Sequence, residues 1–310
     1  MEKRSHMRIC DRRSQLLAFG GLLAVSLLWG SSFVVIKVAS TRFEAVNIAS
    51  YRATIAALCL SGLVVIKREK FPRDIRTISI LFFLSIFGQI LPFISLGVSG
   101  HLTSSQNSAM MMGGVPLLTL LFSRFLLPDE LWSLKKWLAL VVGFAGVVVA
   151  LGGTIQNTWS SGAHSNADLE GSLFALLAAV GYAIGAILSR IASRNLSPLV
   201  ACAFTMTVSA GILWTYSFFS GSIQATASIS AWTAIFFLGT ANTAFAYGIY
   251  FWLIKFSGAT FASTNNYMVP IIGMAMGFIM LSEKIYLGTL SGLMLTLIGI
   301  YLFSRTSRTS

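Results

Sequence analysis

The chain has 310 residues, 55 % hydrophobic and only 10 % charged, with a mean hydropathy of +0.79. An ordinary soluble domain carries about 25 % charged residues, so this composition excludes a water-facing surface and points to a set of membrane spans. The net charge of +12 would suit a nucleic-acid binder, but where the basic residues fall excludes that reading.

A hydrocarbon core about 30 Å thick needs about 20 apolar residues per helix. Ten segments meet that length: 16–37, 46–66, 77–98, 104–127, 134–151, 171–190, 198–219, 229–254, 260–281 and 286–304. The charged start MEKRSHMRICDRR followed by an apolar run resembles a signal peptide. The run continues past Trp29 to about Val38, long enough to span, so it reads as a retained first helix. Cys10, Cys59 and Cys202 are scattered, and Cys59 and Cys202 sit in apolar runs. They form no disulfide or metal spacing.

Lys and Arg counted in the connections set the orientation. Segments 1–15, 67–76, 128–136, 190–197, 255–259 and 305–310 hold 17 of the 22 basic residues, whereas the opposite connections hold only Arg42 and Lys284. Both termini are then cytoplasmic, which requires an even number of spans and agrees with ten. The basic excess is topology.

The fourth segment, SSQNSAMMMGGVPLLTLLFSRFLL, carries Gly113, Gly114 and Pro116 in its middle and is followed by Asp129 and Glu130. The ninth, ATFASTNNYMVPIIGMAMGFIMLS, carries Pro270 and is followed by Glu283. Pro116 falls on Pro270 at an offset of 154 residues, and VIKVAS (35–40) falls on LSRIAS (188–193) at 153. Trp29 then falls on Tyr182, Lys37 on Arg190 and Gly146 on Gly299. Spans 1–5 and 6–10 are therefore two copies. Five is odd, so the copies lie inverted in the membrane, an arrangement of secondary transporters. Paired helix breaks in corresponding positions point to the binding site, with Gly114, Pro116 and Pro270 as break or gating residues. The loop 152–170, rich in Gly, Ser and Asn, reads as an outer linker between the copies. His164 within it and His101 in another outer loop read as surface histidines.

WGSSF (29–33), YRATIAAL (51–58), the paired segments Pro116…Glu130 and Pro270…Glu283, and TANTAFAYGIYFWLIKFSGAT (240–260) carry a family resemblance. Across nearly its whole length the chain resembles the EamA-like ten-helix transporters of the drug/metabolite transporter superfamily. The resemblance implies a secondary transporter, often an exporter of amino acids or other small metabolites, with residues 1–151 and 171–310 as the two EamA-like repeats. It leaves the substrate open, since the superfamily also moves nucleotide sugars, sugar phosphates, nucleobases and cationic drugs.

No Asp or Glu lies inside a span. That argues against a carboxylate proton relay and against a buried acid as counter-ion for a cationic drug. There is no P-loop, HExxH or GxSxG motif, so neither ATP drive by this chain nor an intramembrane enzyme is expected, and no cofactor or metal is implied. The polar groups left at depth are Trp29, Ser31, Ser32, Gln89, Asn107, Tyr182, Asn242, Tyr247, Asn265, Asn266 and Tyr267. Asn265 and Asn266 fall on Met111 and Met112 in the repeat, which predicts a cavity with an amide wall facing a soft apolar one. Each amide could instead bond a neighbouring helix. Arg52, about two turns into span 2, either snorkels to the outer interface or anchors a substrate carboxylate or phosphate.

The expectation is thus an all-α inner (plasma) membrane protein of ten helices in two inverted five-helix repeats, with both termini cytoplasmic. It exports small metabolites, amino acids first, by alternating access. Trp29, Ser32, Arg52, Gln89, Asn107, Met111, Tyr182, Asn242, Tyr247, Asn265 and Asn266 contact substrate near the midplane. Its partners are a small-molecule substrate and the lipid bilayer, not nucleic acid, and it acts as a monomer or homodimer. An anionic metabolite such as a sugar phosphate or nucleotide, or a drug, is the alternative cargo. A membrane scaffold or receptor is the alternative outside transport.

Overall fold

The computed structural model describes residues 12–126, 133–160, 166–192 and 196–306. They form α1 (Arg12–Ala39), α2 (Ala45–Ile66), α3 (Ile75–Ser85), a π-helical turn (Ile86–Ile90), α4 (Leu91–Leu102), α5 (Ser105–Met112), α6 (Gly114–Leu126) and α7 (Leu134–Ser160). The second half follows as α8 (Ala167–Ala192), α9 (Pro198–Phe219), α10 (Ile229–Gly239), a second π-helical turn (Thr240–Phe245), α11 (Ala246–Ser257), α12 (Ala259–Ala262), α13 (Asn265–Leu281) and α14 (Leu287–Thr306). Among the described residues there is no strand. Asp129, Glu130 and His164 lie outside them.

Each of the ten sequence segments is helical. Eight are long and apolar enough to cross a membrane, ending with Ile229–Ser257; the last two, Asn265–Leu281 and Leu287–Leu302, are shorter apolar helices. Large apolar side chains point outward along them, among them Leu16, Phe19, Val141, Phe236 and Ile298. The interior is built from small residues, as lipid-embedded helices require for close approach. Ala49, Ala53 and Ala56 recur at helical spacing on α2 and pack with Val200, Ala203 and Met206 of α9. The tightest seam joins α7 to α14. A methyl group at Gly153 would fall 2.8 Å from the Cα of Gly288, and one at Gly299 would run into the backbone of Gly143.

The break in the fourth segment sits at Gly113, between α5 and α6, whose amide donates to Met110 O at 2.9 Å. Pro116 therefore lies in the first turn of α6, where a missing N–H costs no helical bond. The ninth segment breaks instead at Ser263–Thr264, and Pro270 lies inside α13. The two copies thus interrupt the same span at different points.

At the end of the bundle where α7 leads into α8, which we term the linker end, the helices are tied together. Glu283, after α13, accepts from the Ser105 amide (2.8 Å), the Ser105 hydroxyl (2.9 Å) and the Gln106 amide (3.1 Å), capping α5. Lys37 donates to Thr103 O at 2.7 Å, and the Thr103 hydroxyl donates to Asp168 at 2.9 Å. Asn47 pairs with the backbone of Ser222 (2.7 Å) and Gln224 (3.1 Å).

Candidate functional site

The two π-helical turns occupy corresponding places in the halves, and each carries a buried amide: Gln89 in the first, Asn242 in the second. A π turn inserts one extra residue into a helix and recurs at functional positions. Here it turns polar side chains into the protein interior within two otherwise apolar helices.

Around the first turn the structure gathers a polar cluster. Arg52 begins the third turn of α2, roughly 10 Å from its start at 1.5 Å per residue. It does not snorkel: it is 6 % exposed, with its Nε donating to the Thr243 hydroxyl at 2.9 Å. Its guanidinium carbon stands 4.0 Å from the centroid of the Phe93 ring, a cation–π contact. The Tyr182 hydroxyl meets the guanidinium, the Tyr247 hydroxyl lies within electrostatic reach of it, and Gln89 hydrogen-bonds the Tyr247 hydroxyl. The Gln89 amide oxygen is buried and has no hydrogen-bond partner. Trp29 closes one side, its ring edge-on to Tyr247 at 5.7 Å. Arg52, Gln89 and Phe93 come from one half of the chain, and Tyr182, Thr243 and Tyr247 from the other. Among the described residues no carboxylate stands with the groups around Arg52.

Other residues singled out from the sequence lie elsewhere. The Ser32 hydroxyl turns back onto Trp29 O at 2.6 Å, within its own helix. Asn107 is at the linker end, its amide donating to the Thr103 hydroxyl at 3.0 Å. Asn242 ties span 8 to α1, donating to Leu28 O and to the Ser31 hydroxyl, while its oxygen is unpartnered. Met111 is buried in the core with Met110, Met112 and Met274. Asn265, at the start of α13, is buried with neither amide atom partnered, and Asn266 beside it is half-buried. α13 packs along α5, with Gly113 against Pro270. Gly114 opens α6. A cavity of about 220 Å³ opens between Lys37, Ser40, Gly100, His101 and Leu281, away from the Arg52 cluster.

Sequence reasoning missed Thr243 and Phe93. One signal was present: the offset of 153 that aligns VIKVAS with LSRIAS also sets Gln89 on Asn242, and Thr243 is the next residue. Nothing in the sequence marks Phe93 as the ring beneath a buried cation.

The chain matches the EamA-like transporter family twice, over residues 16–152 and 169–305. It is 24 % identical to the uncharacterized transporter YoaV of Bacillus subtilis over 289 residues, 91 % of this chain and 94 % of that one. It is also 24 % identical to the uncharacterized inner membrane transporter YedA of Escherichia coli K12 over 276 residues, 86 % and 83 % of the two chains. A crystal structure with 17 % sequence identity superposes with a TM-score of 0.65, covering 96 % of this chain and 99 % of that one, and shares the fold.

Proposed function

The chain belongs to the EamA-like transporter family of the drug/metabolite transporter superfamily, and from that premise we propose that it is a secondary transporter exporting small metabolites, amino acids first, across the cytoplasmic membrane by alternating access. The observation that carries this reading is the polar cluster built across the halves: Arg52 and Gln89 from one, Tyr182, Thr243 and Tyr247 from the other. A site divided between two repeats can be exposed to either side as the repeats rock about it. Ten spans in two inverted repeats, with both termini cytoplasmic, complete the reading. The interhelical ties at the linker end then close the outer side. Asn265 and Asn266 offer a second polar point on the path.

Counterflow in proteoliposomes tests it. Purified protein with unlabelled amino acid inside should accumulate labelled amino acid from outside, without any coupling ion having to be known. No exchange of any of the twenty amino acids by folded protein would count against amino-acid cargo. A second reading is supported by the lack of an acid beside Arg52 among the described residues: the cargo is an anionic metabolite such as a sugar phosphate, and the same assay with labelled phosphate esters decides between them.

A further inference from the structure

We propose that Arg52 and Gln89 form a two-pole head-group site for a carboxylate that bears a hydrogen-bond donor on the adjacent carbon, as 2-amino and 2-hydroxy acids do. The inference rests on the transporter reading and specifies the chemistry of its site. A guanidinium carries five N–H donors and no acceptor. In Arg52 the Nε meets Thr243 at 2.9 Å and the Tyr182 hydroxyl faces the group, so most of the fork is left for a ligand. Phe93, 4.0 Å from the guanidinium carbon, covers one face and leaves the edge for in-plane hydrogen bonds. A planar carboxylate fits that edge with two parallel bonds.

The charge argument points the same way. A buried cation normally has a paired anion, because leaving a charge unpaired away from water is strongly unfavourable. Among the described residues the groups around it are two tyrosine hydroxyls, a threonine hydroxyl and a ring, so the anion is one the ligand brings. The second pole is the Gln89 amide oxygen, buried without a donor. Tyr247 faces both Arg52 and Gln89, which places the two poles beside one side chain. An acceptor oxygen at that point favours an ammonium or hydroxyl and repels the further oxygens of a phosphate. The cation in turn repels a simple amine. Trp29, Phe93 and the two tyrosine rings surround the pair with aromatic side chains, so an aromatic probe is the appropriate one.

The test is competition in counterflow with full-length protein and labelled L-phenylalanine, using four unlabelled competitors: L-phenylalanine, 3-phenyllactate, 3-phenylpropionate and phenethylamine. Phenylalanine should compete best. Phenyllactate should compete within tenfold of it if the donor pole accepts a hydroxyl, and weaker competition narrows the ligand to 2-amino acids. Phenylpropionate, lacking the donor, and phenethylamine, lacking the carboxylate, should each be at least tenfold weaker. Arg52→Lys should lose at least tenfold in phenylalanine exchange, because an ammonium cannot reproduce the fork. Gln89→Met should instead narrow the gap between phenylalanine and phenylpropionate, which a purely structural role would not do. This second variant keeps the test decisive if Arg52→Lys fails to fold. Phenethylamine competing as well as phenylalanine, or an unchanged ratio in Gln89→Met, overturns the head-group site while leaving transport standing. If only another amino acid is exchanged, its own four analogues carry the same comparison. Exchange of phosphate esters alone overturns the head-group site, and no exchange of any solute overturns the transporter reading itself.

Discussion

Gln89 and Asn242 stand 153 positions apart and occupy the two π-helical turns, one in each half of the chain. The turns share a backbone irregularity but use their amides differently. Asn242 donates to the Leu28 carbonyl and the Ser31 hydroxyl, fastening span 8 to α1. Gln89 faces Tyr247 and keeps its oxygen unpartnered. Both amide oxygens are unpartnered, but the Asn242 nitrogen ties span 8 to α1, whereas Gln89 stands beside Tyr247 in the Arg52 cluster.

That difference predicts opposite phenotypes for equivalent substitutions. Asn242→Leu removes an interhelical hydrogen bond and strands the Ser31 contact, so it should cost about 1 kcal/mol of stability, the usual scale for such bonds in membranes. Gln89→Leu removes the one hydrogen bond to Tyr247, against the two that Asn242 makes to α1, so its melting temperature in detergent should fall less, while substrate exchange falls. Thermal unfolding of both variants, run beside counterflow, checks the pair. An equal loss of stability in both would mean that the two amides are structural alike.

The seam between α7 and α14 makes a second contrast. Gly299→Ala would put a methyl group into the backbone of Gly143, where no flexible side chain can yield. Overpacking of this kind costs about 1–3 kcal/mol. Gly211, on α9, has nothing within 4 Å of the position a methyl would take. Gly211→Ala should leave stability unchanged or raise it by up to about 1 kcal/mol through helix propensity. Unfolding midpoints of the two variants in one detergent give the sign of each.

Much of the fold was legible because hydropathy over twenty residues is a strong signal. Pro198–Phe219 falls on the predicted 198–219 without adjustment. The π turns were not legible, since one extra residue inside an apolar run leaves composition and length unaltered. The break in span 4 falls at Gly113, next to the expected Gly114 and three residues before Pro116, which sits instead in the first turn of α6. Polarity at depth selects the clustered Arg52, Gln89, Tyr182 and Tyr247 together with Asn107 and Ser32. Depth along a helix says nothing about which way a side chain faces, and so Asn107 at the linker end and Ser32 on its own backbone could not be separated from the cluster. Arg52 was ambiguous for a related reason. Snorkelling and burial fit the same position, and only its contacts with α4, α8 and the second π turn decide.

Outside the apolar segments, Asp74 caps α3, accepting from the Thr77 amide at 2.9 Å. Hydrogen bonding by Thr77 holds its carboxyl below the ordinary value. A depressed folded value means that the cap contributes above the unfolded carboxylate pKa, about 4, and is lost as pH falls through the folded one. Hydrogen exchange of the Thr77 amide should therefore speed up on acidification below about pH 4, beyond the intrinsic change. Asp74→Asn keeps an N-cap acceptor and should abolish that dependence. An identical acid response in the variant would assign it to another group.

Glu283 offers the sharpest test of how the linker end closes. Its carboxylate receives two backbone amides and one hydroxyl at the start of α5, and its backbone oxygen receives the Gln106 side chain at 3.0 Å. These donors are the orphan N–H groups of a helix start, where a negative charge is favourable. The tie joins the connection after α13 to α5, across the halves. Glu283→Ala leaves the Ser105 and Gln106 amides without the carboxylate and should cost about 1–2 kcal/mol if the site stays dry. Glu283→Gln keeps one acceptor oxygen and loses the charge and the second acceptor, since its NH2 cannot accept, so its cost should be smaller than that of alanine. If the tie holds the linker end shut, the alanine variant should also speed hydrogen exchange at Ser105 and Gln106 while leaving α7 and α14 protected, because their glycine seam does not depend on it. Exchange that rises uniformly across the bundle would instead mark Glu283 as a general stability residue, and unchanged exchange would mean that water replaces the carboxylate at little cost.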